Sequence, residues 1–430
     1  MGERSASRIL ALACGETAAA LGMQIVLFVV PLAAVELFDA NTFELGLLNL
    51  VDSVAALCFG FVVGGLIDGV GGVRAVSMAD ALRFISTALL AIGLVVDPHM
   101  WMLYIAMLLV GVGGLIHDAG VTTAVTTIEQ LDGRRLNRVN AALRAGSVVS
   151  DLIGPGVGGL LVLLVGFGAS AAGGSLAFLV AAAVCFGLLR RQRVAQSSSG
   201  QRTRNSGGLA GTERTSATAG LRFVWDDDTL RPLTLSSTQF NFFSAGFQAV
   251  FLVYCVKVLH FGAGELAVVG IVAGAGALAG AGAASLSIVS RHTRKFYAAS
   301  LFVPGLAVVA MINAEQILNG SAVVVIALAQ AVFSACMVIC VVLFNTVRQM
   351  RSPSALAGRI AAAERVLALM GEIPGALLGG LIGLVITLNV PLWIAAVGMS
   401  LSAWWVFRIR DWDGSPRTDS IPGISNATVS

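Results

Sequence analysis

Apolar residues along this chain fall in long blocks rather than alternating with polar ones. The blocks are close to the ~20 residues that a helix needs to cross the hydrocarbon of a bilayer. Twelve such segments are predicted, near 9–37, 44–67, 75–96, 101–127, 139–166, 172–189, 232–257, 265–289, 297–313, 320–344, 361–387 and 391–407. Most gaps are short, which makes neighbouring helices antiparallel. The exception is 190–231, whose middle, 197–220, is rich in Ser, Thr, Gly and Arg. Such a composition buries no core, so 191–230 is expected to be a partly disordered linker. It would separate six helices in 1–190 from six in 231–408, with a short tail at 409–430. The predicted fold class is an all-α membrane protein with twelve transmembrane helices in two six-helix bundles.

Composition supports this reading. Of 430 residues, 57% are hydrophobic and only 12% charged, and 50 are Gly. Soluble domains carry about 25% charged residues. A soluble enzyme, a disordered chain and a disulfide scaffold are all excluded. Cys14, Cys58, Cys185, Cys255, Cys336 and Cys340 lie inside apolar runs without metal-site spacing, and are expected to be reduced packing residues. The first apolar run is too long for a cleaved signal, and Glu16 interrupts it.

The net charge of +3 matters less than its placement. Arg8, Arg74, Arg134, Arg135, the Arg-rich 190–231 region, Arg291, Arg294, Lys295, Arg348, Arg351 and Arg408 all fall on one side of the predicted helices. The opposite side carries Lys257 alone. Cytoplasmic loops hold such an excess, so both termini and the linker are expected in the cytoplasm. Trp101, Trp225, Trp393, Trp404, Trp405 and Trp412 sit near segment ends, as an interfacial belt requires.

An internal repeat appears at an offset of 221 residues. The fifth segment carries Arg138, Arg144, Asp151, Gly158 and Gly159; the eleventh carries Arg359, Arg365, Glu372, Gly379 and Gly380. Parallel six-helix repeats are a known transporter plan.

Ionisable residues at a helix centre cost about 2.5–3.5 kcal/mol each on insertion scales, so each calls for a cavity or a partner. Glu16 is the first candidate for proton or substrate exchange. It lies ~12 Å beyond Arg8 along a helix, with no basic residue one turn away. Desolvation disfavours a charged carboxylate, which suits a group that loads and releases a proton. Attraction of a cationic drug, or a structural hydrogen bond to a neighbouring helix, are the other roles open to it. Asp151 and Glu372, related by the repeat, are the next candidates, with Arg144 and Arg365 as repeat mates that pair between helices. Asp80 and Arg83 have the i,i+3 spacing of a local pair. Asp118 is a candidate partner for Arg144 or Arg83, in a gating or structural group. His117 is expected as a packing residue, and Asp52 to reach outer water. Glu364 and Arg365 point to different helix faces. Gln24, Gln239, Asn241 and Gln248 are neutral candidates to line a cavity. The chain carries no nucleotide loop, metal cluster, nucleophile–base pair or nucleic-acid patch. No enzyme activity, cofactor, metal or nucleic-acid partner is expected, and an ion gradient remains as the energy source.

Two motifs carry a family resemblance. The stretch Gly64-Gly65-Leu66-Ile67-Asp68-Gly69-Val70-Gly71-Gly72-Val73-Arg74 resembles the cytoplasmic signature loop of the major facilitator superfamily. Gly64, Asp68 and Gly71 match. Gly69 replaces the usual Arg, Gly72 and Val73 replace the basic pair, and Arg74 comes one place late. The resemblance implies a cytoplasmic charge latch through Asp68 and Arg74. Gly154-Pro155-Gly156-Val157-Gly158-Gly159 is similar to the antiporter motif of drug:proton exporters, with Ser150 where that motif has Gly. Generic close packing by small residues explains the same run. Residues 138–141, 220–231 and 349–359 add a resemblance to the drug:proton antiporter-3 branch, which holds macrolide efflux and enterobactin export proteins. This implies a bacterial plasma-membrane monomer that exchanges protons for an amphipathic antibiotic, siderophore or other metabolite. Uptake or flipping of a metabolite or lysophospholipid is the alternative, and a non-transporting scaffold or sensor a third reading.

Overall fold

A backbone that crosses lipid must satisfy its N–H and C=O groups within its own segment, so the apolar blocks become helices. The computed structural model describes residues 3–128, 133–199, 219–317, 322–353 and 357–409. The first half contains α1 (Glu3–Phe38), α2 (Thr42–Val70), α3 (Gly72–Val96), α4 (Met100–Ile128) and α5 (Gly133–Ser199). α5 has two arms that meet at Gly166, where φ is 78°. That left-handed backbone favours glycine. Gly173 lies against Leu161, so the second arm runs back along the first.

The second half contains α6 (Ala219–Asp226), α7 (Leu230–Lys257), α8 (Ala263–Ala284), α9 (Ser287–Arg291), α10 (Thr293–Ile312), α11 (Ala314–Ile317), α12 (Ala322–Arg351), α13 (Ala357–Val385) and α14 (Asn389–Ser402). α14 continues as a 3₁₀ turn, Ala403–Arg408. Among the described residues, ten helices are long and apolar enough to cross a membrane. With α2, and with α5 passing twice, they account for the twelve predicted segments. Leu89, Ile92 and Val95 on α3, Leu163 and Leu164 on α5, and Leu328 on α12 are exposed, as lipid-facing residues are.

The segment expected as linker is partly helical. α5 extends to Ser199, and α6 fills 219–226. The apolar side of α6 explains its order: Val224 is buried in the core of the second half, with Phe223 against the same core. Arg222 and Asp226 pair across one turn at 3.6 Å. Asp227 Oδ1 then accepts the backbone N–H of Thr229 and Leu230 at 2.8 and 2.7 Å, capping α7. Residues 200–218 and 410–430, the rest of the expected linker and the tail, lie outside the described residues.

Within the halves, α1 packs on α5 and α7 on α13; between them, α5 meets α8 and α2 meets α13. The repeat sets both kinds of contact. A Cβ on Gly158 would stand 3.2 Å from Phe28 on α1, and one on Gly379 would strike Gly246 on α7. These are contacts within a half. A Cβ on Gly159 would stand 3.1 Å from the Ala263 carbonyl of α8, and one on Gly380 would stand 2.7 Å from the Thr42 carbonyl of α2. These are contacts between halves, and Thr42 and Ala263 are themselves 221 residues apart. The first glycine of each repeated pair therefore closes a half, and the second joins the two. Among the described residues, the two non-glycine residues with positive φ, Asp39 (53°) and His260 (55°), obey the same offset.

These inter-half contacts lie at the far end of the bundle, away from the start of α1 and from Ile409. There Thr42 Oγ1 donates to the Gly380 carbonyl at 2.7 Å. Lys257 Nζ lies 2.6 Å from an Asp39 carboxylate oxygen and donates to the Asp39 carbonyl at 3.2 Å. The shared apolar core takes Ile25, Val29, Leu32 and Val162 from the first half. Near the other end, Leu12, Val73, Val76, Cys185 and Leu188 form a separate cluster within the first half.

Candidate functional site

The main polar feature inside the first half is a chain of four side chains from three helices. His117 on α4 stands at its centre. Its Nε2 is 2.8 Å from Glu16 Oε2 on α1, and its Nδ1 is 2.8 Å from Asp80 Oδ1 on α3. Arg83, one turn along α3, lies 3.5 Å from the same Asp80 oxygen. Its Nε donates to the Val110 carbonyl of α4 at 3.4 Å, and its guanidinium lies over the Phe178 ring.

Accessibility falls along the chain. The Glu16 side chain is 17% exposed, His117 4% and Asp80 0%. One end is therefore open to solvent-sized groups, while the other is sealed. Asp80 Oδ2 is buried without a hydrogen-bond partner. Glycines make room for the arginine: a Cβ on Gly113 would stand 2.7 Å from Arg83 Cγ, and one on Gly114 would stand 2.8 Å from Arg83 Nη2.

Of the expected residues, this cluster gathers Glu16, Asp80 and Arg83. The local Asp80–Arg83 pair is present. One expectation needs correction. His117 is the bridge between two carboxylates, not only a packing residue. Arg83 turns toward Asp80, Val110 and Phe178. Asp118 is exposed, and the side chain of Arg144, its other expected partner, lies outside the described residues.

The other candidates are dispersed. Asp151 is exposed, and its Oδ1 accepts a short hydrogen bond from Gln24 Nε2, joining α5 to α1. Glu372 is half-buried and Arg365 exposed on α13. Gln239 is tied within its own half: its Nε2 donates to the Gly398 carbonyl at 3.0 Å, and Trp405 Nε1 donates to its Oε1 at 2.8 Å. Both functional groups of its amide are thus engaged, which fits a brace between α7 and the last helix better than a free cavity-lining group. Asn241 Nδ2 donates to Ser237 Oγ at 3.4 Å, and Gln248 is exposed. Glu364 on α13 is buried with Arg348 of α12 at 3.2 Å and Thr234 of α7 at 3.5 Å. The side chains of Asp52, Asp68 and Arg144 lie outside the described residues.

The signature loop has a partly steric explanation. Gly71 has φ 87°, which favours glycine. A side chain on Gly72 would collide with the α4 backbone at Gly120 and Ala124. The missing basic residue at 72 therefore reflects contact between α3 and α4. Arg74 is exposed beyond it. In the antiporter-like run, Gly154 and Gly158 face Gln24 and Phe28 of α1. Pro155, Gly156 and Gly159 face Gly270, Ile271 and Ala267 of α8. The run is thus a three-helix junction between the halves.

Two repeated six-helix halves, sealed at one end and carrying charge inside, define a multi-pass membrane transporter rather than an enzyme. The sequence matches the family model of the Major Facilitator Superfamily over residues 12–368, and the chain belongs to that superfamily. A curated relative is the multidrug efflux pump Tap of Mycolicibacterium fortuitum, 23% identical over 201 residues. That match covers 46% of this chain and 47% of the relative, so it spans about half the length of each. Among solved structures, a bacterial homologue of the iron transporter ferroportin in an inward-facing state superposes with TM-score 0.69 at 14% identity. It covers 94% of this chain and 98% of that one. A peptide transporter, POT, in complex with sulfate gives TM-score 0.67 at 14% identity over 93% and 94% of the two chains. At such identities these structures speak for the fold.

Proposed function

We propose that this transporter is a proton-coupled exporter of an amphipathic small molecule, working by alternating access. The observation that carries the reading is the Glu16–His117–Asp80–Arg83 chain, which leads from a partly open carboxylate to a sealed one. A carboxylate hydrogen-bonded to an imidazole is equipped to exchange a proton, and its open position can also hold a cationic group of a substrate. Competition between proton and substrate for Glu16 couples their movements.

The Arg and Lys bias supports cytoplasmic termini. The sealed far end is then extracytoplasmic, and this conformer is the cytoplasm-facing one. Rocking about the Gly159 and Gly380 contacts would open the far end. Export, rather than uptake or lipid flipping, draws on the antiporter-like run and on the relative named as a multidrug efflux pump. The signature loop, with Asp68 and Arg74, and the Arg144–Asp151 and Arg365–Glu372 repeat positions are assigned to gating and to the cavity wall.

The test is a panel of toxic compounds in an efflux-deficient bacterial host. Wild type, Glu16→Gln at equal expression and empty vector are compared. Resistance that wild type confers and Glu16→Gln abolishes is expected. Sensitivity equal to empty vector for every compound class would overturn the drug-export reading.

A further inference from the structure

We infer that His117 holds the coupling proton, as an imidazolium shared between Glu16 and Asp80, and that Glu16 is its exit. This deepens the proton-coupled reading of the same site and rests on it. A neutral imidazole has one donor and one acceptor nitrogen, and an ionised carboxylate only accepts. Both ring nitrogens lie 2.8 Å from a carboxylate oxygen. Both contacts are hydrogen bonds only when the trio holds two protons, either both on the ring or one on each side of it. Neutral His117 between two carboxylates has one proton too few.

Charge favours the loaded state. With two protons the trio carries one net negative charge, and Arg83 cancels it. Loss of one proton adds a negative charge to the buried cluster, in surroundings where buried charge is costly. Among the described side chains, the groups facing His117 are Glu16 from α1 and Asp80 and Arg83 from α3, with Cys185 of the second arm of α5 near both carboxylates. Asp118 follows it on α4 and is exposed. Arg83 is a permanent cation beside Asp80.

The geometry also supplies a response to release. The proton leaves the Glu16–His117 hydrogen bond through Glu16, the most exposed member of the chain, and passes to water. Asp80 then keeps the remaining ring N–H. Of the two Asp80 oxygens, Oδ1 lies 3.5 Å from Arg83, and Oδ2 is buried without a hydrogen-bond partner. A turn of the guanidinium within the slot left by Gly113 and Gly114 brings it onto both oxygens, shifting α3 against α4. Loading at Glu16 is thereby read by the α3–α4 contact. His117 acts as the proton-holding group, and Arg83 and Asp80 act as positioning residues.

The experiment uses the full chain in lipid nanodiscs with ¹⁵N-labelled histidine. The chain has four His, and the other three, His99, His260 and His292, are exposed. Nitrogen NMR near neutral pH is expected to show one ring with both nitrogens protonated, assigned by its absence in His117→Gln. Glu16→Gln and Asp80→Asn should each convert that ring to a single neutral tautomer. A neutral His117 ring in the wild type would overturn the inference without need of any variant. The coupling arm adds ethidium to the same nanodiscs and follows proton release with a pH-sensitive dye. Wild type should release protons on binding, while His117→Gln binds ethidium and releases none. Undiminished release by His117→Gln would also overturn it. An imidazolium that depends on Glu16 and Asp80, with no compound moving protons, would uphold the hydrogen count and instead sink the transport reading.

Discussion

Replacing Gly380 with Ala should open the far end of the transporter. The new Cβ would stand 2.7 Å from the Thr42 carbonyl oxygen and 3.0 Å from Phe43 Cα. Both are backbone atoms, so no rotamer change relieves the contact. Ordinary contact begins near 3.4 Å, and α2 and α13 must part by about 0.7 Å, straining the Thr42–Gly380 hydrogen bond. Overpacking of this kind costs about 1–3 kcal/mol. The cost falls on the far-closed state, because the contact exists only there. The gain in helix propensity from Gly to Ala acts in both states and cancels. The ratio of far-closed to far-open molecules should therefore fall by about 5–150-fold. Gly159→Ala should act likewise through Ala267 and the Ala263 carbonyl. The assay is pulsed electron resonance between genetically encoded spin labels at His99 and Gln316, exposed far-end positions in the two halves. Gly264→Ala is the control, because nothing lies within 4 Å of its Cβ. A longer His99–Gln316 distance is expected for Gly380→Ala and Gly159→Ala, but not for Gly264→Ala. Identical distance distributions in all three folded variants would refute the role given to the glycine pairs.

Three further outcomes are expected. Gly72→Arg, which restores a basic residue to the signature loop, should destabilise the protein by at least about 1–3 kcal/mol, because its Cβ collides with α4; thermal unfolding in detergent reads this. Arg348→Gln should cost about 3–5 kcal/mol by leaving the buried Glu364 carboxylate without its cation, and adding Glu364→Gln should restore most of the loss in the same melt. Lys257→Gln should shift the His99–Gln316 distance distribution only slightly. The exposed pair with Asp39 is worth about 0.2–1 kcal/mol, and high salt should erase the difference from wild type.

Much of the fold was legible in the sequence because lipid imposes long apolar helices. The twelve segments, and the repeat that pairs Gly158-Gly159 with Gly379-Gly380, follow from that rule and from matched spacing. What each glycine touches was not legible, since Phe28, Gly246, Ala263 and Thr42 lie far off in the chain. α6 was missed because Gly and Arg around it resemble a linker, although Phe223 and Val224 already marked an apolar side. The site was half legible. Asp80 and Arg83 are one turn apart and could be paired by spacing. Glu16, however, meets His117 across a sequence separation of 101, and no local pattern brings them together. Their comparable depth along predicted helices was the available signal.

The central claim is that Glu16 exchanges a proton for substrate. Ethidium transport in proteoliposomes containing wild type or Glu16→Gln tests it most directly, under an imposed pH gradient and in gradient-free counterflow. The account predicts that wild type performs both and that Glu16→Gln, whatever counterflow it keeps, loses all response to the gradient. Gradient-driven transport by Glu16→Gln at the wild-type rate would contradict it.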